Sequence, residues 1–154
     1  MLKAGIIGLG HGSRVLIDAF RLNNIEVYGV ASRNYSKAKK ISKEKNISKT
    51  FRNWKELVKD KRITIVAIAV PPYLQLNILK ACLKNNKKIL CEKPIGIEIK
   101  KINNFFINIK KNNKFIFVDY IFPEHEKFKK FYTILNKIKI TKDSFIKVNF
   151  NTQT

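Results

Sequence analysis

Short apolar runs alternate with amphipathic helical patterns along nearly the whole chain, and no other feature constrains its fold as much. Lys3–Ile7 is an apolar run that leads into glycine. Further runs of strand type cover 25–31, 63–70, 88–91, 115–118 and 145–150. The run at 63–70 is apolar on both faces, as a central strand of a parallel sheet must be. Between the runs lie patterns of helical period. One helix carries Val15, Leu16, Ala19 and Phe20 on one face, and another carries Ile78, Leu79, Cys82 and Leu83. A third carries Ile99, Ile102, Phe106 and Ile109, and a fourth Phe128, Phe131, Tyr132 and Leu135 behind Pro123. Ser36 is placed to cap a polar helix reaching about residue 44, and Asn53 to cap a short helix through Leu57 and Val58.

Strands that alternate with helices predict βαβ units, right-handed crossovers and an α/β, doubly wound parallel sheet. Ligands of such sheets bind outside the carboxyl ends of the strands. There the first strand runs into Gly8-Leu9-Gly10-His11-Gly12-Ser13-Arg14. Gly8 suits a tight turn. Gly10 removes a side chain where backbone would approach a pyrophosphate, and a helix starting near Gly12 offers N–H groups and its positive dipole end. The third glycine of the G-x-G-x-x-G pattern is replaced by Ser13, with Gly12 one place early. Ser13 is small enough for helix–strand packing, and its hydroxyl suits a cap or a phosphate contact. His11 reads as a loop residue beside the ligand, not as a base.

The end of the second strand selects the dinucleotide, because an acidic residue there accepts from the ribose 2′-hydroxyl of NAD and an arginine accommodates the 2′-phosphate of NADP. This chain has Ala31-Ser32-Arg33-Asn34, with no acidic residue between Glu26 and Glu44. Ser32 suits donation to the phosphate, Arg33 suits a charge-assisted pair with it, and Lys37 lies one helical turn on. The residues favour NADP over NAD.

The strand at 63–70 ends in Pro71-Pro72-Tyr73-Leu74-Gln75, and the strand at 88–91 ends in Cys91-Glu92-Lys93-Pro94. With the glycine turn, these segments make the chain resemble the N-terminal half of the Gfo/Idh/MocA oxidoreductases, and Glu92-Lys93-Pro94 is the specific part. The resemblance implies hydride transfer between a nicotinamide and a sugar-like alcohol or ketone. It implies that Lys93 faces the nicotinamide and substrate, where an ammonium stabilises a developing alkoxide and relays its proton. It implies that Glu92 orients Lys93 or the nicotinamide end, that Pro94 fixes the turn, and that Pro71, Pro72 and Gln75 line the cofactor. Two departures accompany it: Tyr73 and Gln75 stand where the family carries a histidine after the proline, and Val70 stands where it often has Thr or Ser.

The same resemblance divides the chain into a dinucleotide-binding domain at 1–121 and the first elements of a second, α+β domain at 122–154. The Asp and His that the family's second domain supplies have no counterpart in these residues. A truncated remnant, a non-catalytic dinucleotide-binding module and a half completed by another chain are the expectations this raises. The run at 145–150 would be an unpaired edge, suited to a homo-oligomer or to a complementing chain.

Charge is the remaining clue. Lys and Arg number 32 against 11 Asp and Glu, a net charge of +21. Only Arg14, Arg21, Arg33, Arg52 and Arg62 are arginine; the others are lysines scattered among Ile, Asn and Phe. Nucleic-acid readers rely on the arginine fork, and no helix-turn-helix, zinc or RNP signature is present, so a nucleic-acid partner is disfavoured. Cys82 and Cys91 have neither redox nor zinc spacing and read as buried free thiols; no metal site is expected. With no leader at the start and no apolar run of membrane length, the sequence predicts a cytoplasmic protein without a membrane partner.

Overall fold

A computed structural model describes residues 2–10, 12–109, 115–120 and 125–138, apart from the side chains of Ser13 and Asn108. It divides into two compact units, 1–119 and 120–154. In the first unit the elements run β1 (Lys3–Ile7), a wide π-type turn (Gly12–Leu16) continuing into α1 (Ile17–Leu22), β2 (Glu26–Ala31), α2 (Tyr35–Glu44), β3 (Lys49–Phe51), α3 (Trp54–Lys59), β4 (Ile65–Ile68), α4 (Pro72–Lys84), β5 (Lys88–Glu92), α5 (Ile99–Ile109) and β6 (Ile116–Asp119). Every strand pairing is parallel, in the order β3-β2-β1-β4-β5-β6. The chain moves outward one way from β1 through β3 and the other way from β4 through β6. The strand order therefore reverses between β1 and β4, where a doubly wound sheet opens a ligand crevice.

Alternation along the strands builds two cores, one on each face. Ile7, Val66 and Ile68 pack with Leu57 and Val58 of α3 and with Ile78, Leu79 and Cys82 of α4. Ile6 and Ala67 pack on the opposite face with Leu16, Ile17 and Phe20 of the first helical segment and Ala38 of α2. Burying an aliphatic side chain of this size stabilises by roughly 1.5–3 kcal/mol, so these two layers supply most of the driving force. Cys82 and Cys91 are buried and free, as expected. Burial, reinforced in Cys91 by the neighbouring Glu92 carboxylate, pushes each thiol up to about 12.

The structure departs from the sequence reading in three places. β3 was not anticipated: Lys49-Thr50-Phe51 is too short to show a period, and it joins the sheet by pairing with Gly29, Val30 and Ala31. Its clearest signal is Gly29, where a Cβ would sit 2.5 Å from the Phe51 ring. The cap of α2 is Asn34, not Ser36; Asn34 is extended, and its Oδ1 accepts the Lys37 N–H at 2.9 Å. β4 is also shorter than 63–70, because Ile63 is buried ahead of the ladder and Ala69 leaves it toward the prolines. Asn53 caps α3 as expected, accepting from the Glu56 N–H at 3.0 Å, while Glu56 accepts from the Arg52 N–H at 3.2 Å.

In the second unit the described helix is α6 (Glu126–Leu135). His125 Nδ1 accepts the Lys127 N–H at 3.2 Å and caps it, which gives His125 a structural role at the helix start. Pro123 and the run at 145–150 lie outside the described residues.

Candidate functional site at the carboxyl edge of the sheet

The residues that the sequence singled out come from the turns that follow β1, β2, β4 and β5, all on the carboxyl edge. Gly8 has φ +97°, and a Cβ there would lie 2.1 Å from the Ala69 carbonyl oxygen. Only glycine allows both the left-handed backbone and that approach. The Gly8 N–H donates to the Ala31 carbonyl at 2.9 Å, and the Ala69 N–H donates to the Ile7 carbonyl at 2.8 Å. The turn after β1 is thus tied to the ends of both neighbouring strands.

Gly10 and Gly12 divide the remaining work. A Cβ on Gly10 would meet nothing within 4 Å among the described residues, so packing does not demand glycine there. The space beside it suits a ligand that approaches the backbone. A Cβ on Gly12 would lie 3.0 Å from Ile6 Cγ2 and 3.4 Å from Ala69 Cβ. Gly12 therefore takes part in close helix–strand packing, and the wide turn Gly12–Leu16 begins at this glycine. His11 lies outside the described residues, as does the side chain of Ser13.

After β2, Ser32 Oγ accepts the Asn34 N–H at 3.3 Å, and this hydroxyl turn leads into α2. Arg33 and Lys37 are exposed. Neither side chain has an ion pair or side-chain hydrogen bond among the described residues. Arg52, one residue beyond β3, lies with its guanidinium 5.3 Å from the centre of the Tyr35 ring at the start of α2. Ala31 and Phe51 are in register, so the sheet places Arg52 beside the Ser32-Arg33 turn. Sequence reasoning missed Arg52 because β3 itself was not legible.

After β4, Pro71 precedes α4 and Pro72 occupies its first turn. After β5, Lys93 is exposed and the Lys93-Pro94 peptide is cis. Glu92 closes β5 opposite Asp119 of β6. Gln75 corrects the expectation set for it. Its side chain is 1% exposed, and its amide is engaged with backbone, not turned to a cofactor. Nε2 donates to the Val70 and Glu92 carbonyls, each at 3.1 Å, and Oε1 accepts the Gly96 N–H at 3.3 Å. An amide buried without such partners would cost roughly 1–3 kcal/mol. Gly96, with φ +70°, was also overlooked; its position two residues past Pro94 was the available signal.

The arrangement can do three things. The glycine turn offers backbone N–H groups at a helix start to a diphosphate. Arg33 and Lys37 offer cations one strand away. Lys93 offers an exposed ammonium at the turn after β5. These are the parts a nicotinamide dinucleotide needs, and the open space at Gly10 fits its approach.

Comparison with known proteins bears on the same stretch. The family model described as "Oxidoreductase family, NAD-binding Rossmann fold" (GFO_IDH_MocA) matches residues 2–120. A trans-1,2-dihydrobenzene-1,2-diol dehydrogenase from Xenopus laevis is 29% identical over 156 residues, covering 97% of this chain and 46% of the relative. A myo-inositol dehydrogenase from Lactobacillus casei, solved with NAD(H) and myo-inositol, superposes with a TM-score of 0.77 at 20% identity, covering 89% of this chain and 42% of that one. A 3-ketoreductase from Actinomadura kijaniata, solved with TDP-benzene and NADP, gives a TM-score of 0.77 at 19% identity, covering 88% and 43%. At such identities the solved structures establish the fold alone. The chain spans less than half the length of these relatives.

Proposed function

Because the chain belongs to the Gfo/Idh/MocA oxidoreductase family, we propose that its first unit binds a nicotinamide dinucleotide, with NADP preferred to NAD, for hydride transfer to or from a sugar-like alcohol or ketone. The observation that carries this reading is the glycine turn at the strand-order reversal. There Gly8 is demanded by the protein's own backbone and Gly12 fits tight packing, whereas Gly10 faces open space among the described residues.

The backbone N–H groups around Gly10 and the start of the wide turn hold the diphosphate. The positive end of the helical segment adds to their attraction. Arg33 pairs with the 2′-phosphate as a charge-assisted donor, and Lys37 adds a second positive charge in the first turn of α2. Pro71, Pro72 and Glu92 border the nicotinamide end. The bound nicotinamide supplies the hydride donor or acceptor. Lys93 moves the proton at Nζ: as the amine it takes the substrate hydroxyl proton in oxidation and becomes the ammonium, and as the ammonium it gives a proton to the carbonyl oxygen in reduction. Its charge also stabilises the alkoxide character that develops on that oxygen. The dehydrogenases from Xenopus and Lactobacillus are named for a cyclic diol and for inositol, and vicinal hydroxyls on a ring are the class we assign here.

Titration with NADPH and NADH, followed by quenching of Trp54, the single tryptophan, tests the reading. NADPH should bind at least about tenfold more tightly, the worth of one charge-assisted contact. Binding of neither dinucleotide would overturn the proposal, and tighter NADH binding would overturn the role of Arg33.

A further inference from the structure

We propose that Gln75 is a positioning residue that sets where the Lys93 ammonium stands, by clamping the turn after β5 to the turn after β4. The inference rests on the reading of Lys93 given above and goes beyond it. Gln75 lies in the first turns of α4, and its carboxamide is enclosed. Its three partners belong to two different turns. Val70 leaves β4 toward the prolines, while Glu92 and Gly96 bracket Lys93 on either side. Three residues separate those two anchors, and one of them, Ile95, is itself buried.

Lys93 has no ion pair or side-chain hydrogen bond of its own among the described residues. The direction of its flexible side chain is therefore inherited from the backbone at 93, and that backbone is fixed from both sides by one amide. The pattern also explains a polar residue in an otherwise apolar layer. An apolar side chain of similar volume would fill the space but leave two carbonyls and one N–H without their partner.

A carboxamide donates and accepts at every pH, so the clamp is insensitive to pH. A neutral imidazole supplies only one donor and one acceptor, enough to join the Val70 carbonyl to the Gly96 N–H and so still bridge the two turns, but on protonation it loses the acceptor that receives the Gly96 N–H. The Gln75→His protein should therefore keep the clamp at pH 8 and lose it at pH 5.5, on either side of the ordinary histidine value of about 6.5.

The test is reductive methylation with formaldehyde and dimethylamine-borane, resolved by peptide mass spectrometry, with and without saturating NADPH. NADPH affinity is measured in parallel by Trp54 quenching. In the unmodified protein NADPH should slow methylation of Lys93 by about fivefold or more, the discrimination expected of about one well-placed hydrogen bond. Gln75→Leu should bind NADPH within about threefold of the unmodified protein yet lose the protection of Lys93. Gln75→His should show protection at pH 8 and none at pH 5.5, while the unmodified protein shows it at both.

Retained protection in Gln75→Leu overturns the inference, as does a fall in its NADPH affinity beyond that margin. If Gln75→Leu fails to fold, Gln75→His decides: protection that is constant between the two pH values, or absent at both, overturns the clamp. NADPH binding without protection of Lys93 in the unmodified protein would instead remove the role assigned to Lys93, and this inference with it.

Discussion

At the amino edge of the sheet Lys3, Glu26, Lys49, Asp60 and Arg62 form ion pairs, whereas at the carboxyl edge Arg33, Lys37 and Lys93 have no such partner among the described residues. Asp60, ahead of β4, has a side chain only 8% exposed. It accepts from Lys49 at 2.9 Å and from Arg62 through Nε at 3.0 Å and Nη2 at 2.8 Å. Lys87, ahead of β5, is buried and donates to the Asp60 and Ile63 carbonyls at 2.7 and 2.6 Å. Lys3, the first residue of β1, pairs with Glu26 at 3.1 Å. Every one of these residues has a reason internal to the fold. At the other edge Gln75, Gly8, Ser32 and Asn34 have such a reason, while Arg33, Lys37 and Lys93 show none among the described residues. The difference teaches where to look for function in a chain this basic: at cations for which the fold has no use.

The comparison breaks most visibly at one glycine. Gly10→Val adds a side chain where the described residues leave open space, so the melting temperature should move by less than about 2 °C. NADPH affinity should fall by about 100-fold or more, because backbone can no longer reach the diphosphate. A folded Gly10→Val protein with unaltered affinity would separate the glycine turn from dinucleotide binding.

Asp60 gives the opposite outcome. Hydrogen bonds from Arg62 foremost, and then from Lys49, hold its carboxyl well below the usual carboxylate range against the opposing effect of burial. The folded chain thus keeps Asp60 ionised to lower pH than the unfolded chain, where it titrates near 3.9. The stability it contributes is complete above about pH 5 and declines as pH falls through about 4. Asp60→Asn should lower the melting temperature by roughly 5–10 °C at pH 7, from a loss of about 2 kcal/mol. That gap should narrow by about pH 3, with NADPH affinity at pH 7 unchanged. A gap of constant size across that range would remove Asp60 ionisation as its source.

Arg33→Ala should have a smaller and purely selective effect. NADPH should bind about tenfold more weakly, while NADH, which lacks the 2′-phosphate, should change by less than about twofold. Equal losses for both dinucleotides would place Arg33 outside the selectivity site. Arg52, which lies over Tyr35 beside that turn, is the natural control.

How much of this was legible in the sequence follows the same divide. Elements with their own period, such as Ile78–Leu79–Cys82 in α4 and the apolar stretch of β4, were visible because burial writes a pattern along the chain. β3 was invisible because its three residues take their conformation from Gly29–Ala31 next to them. Gly8 and Lys93 were legible as parts of motifs, whereas Gln75 was placed at the cofactor. Its partners lie 5, 17 and 21 residues away, and no local pattern encodes a clamp between two turns.

The two thiols offer the finest comparison of the edges. Both are fully buried, and burial pushes both up to about 12, so neither is a thiolate near neutral pH. Labelling by an aromatic disulfide at pH 8 must therefore wait for opening of the structure around them. Cys82 sits on α4 within the influence of Lys87, on the paired side, while Cys91 precedes Glu92 and Lys93 at the proposed cofactor end. A ligand that binds at the carboxyl edge suppresses local openings there most strongly. Saturating NADPH should slow labelling of Cys91 a few-fold more than labelling of Cys82, read by peptide mass spectrometry. Equal slowing would mean that both thiols react through one global opening, and a larger effect at Cys82 would move the ligand away from the turn after β5.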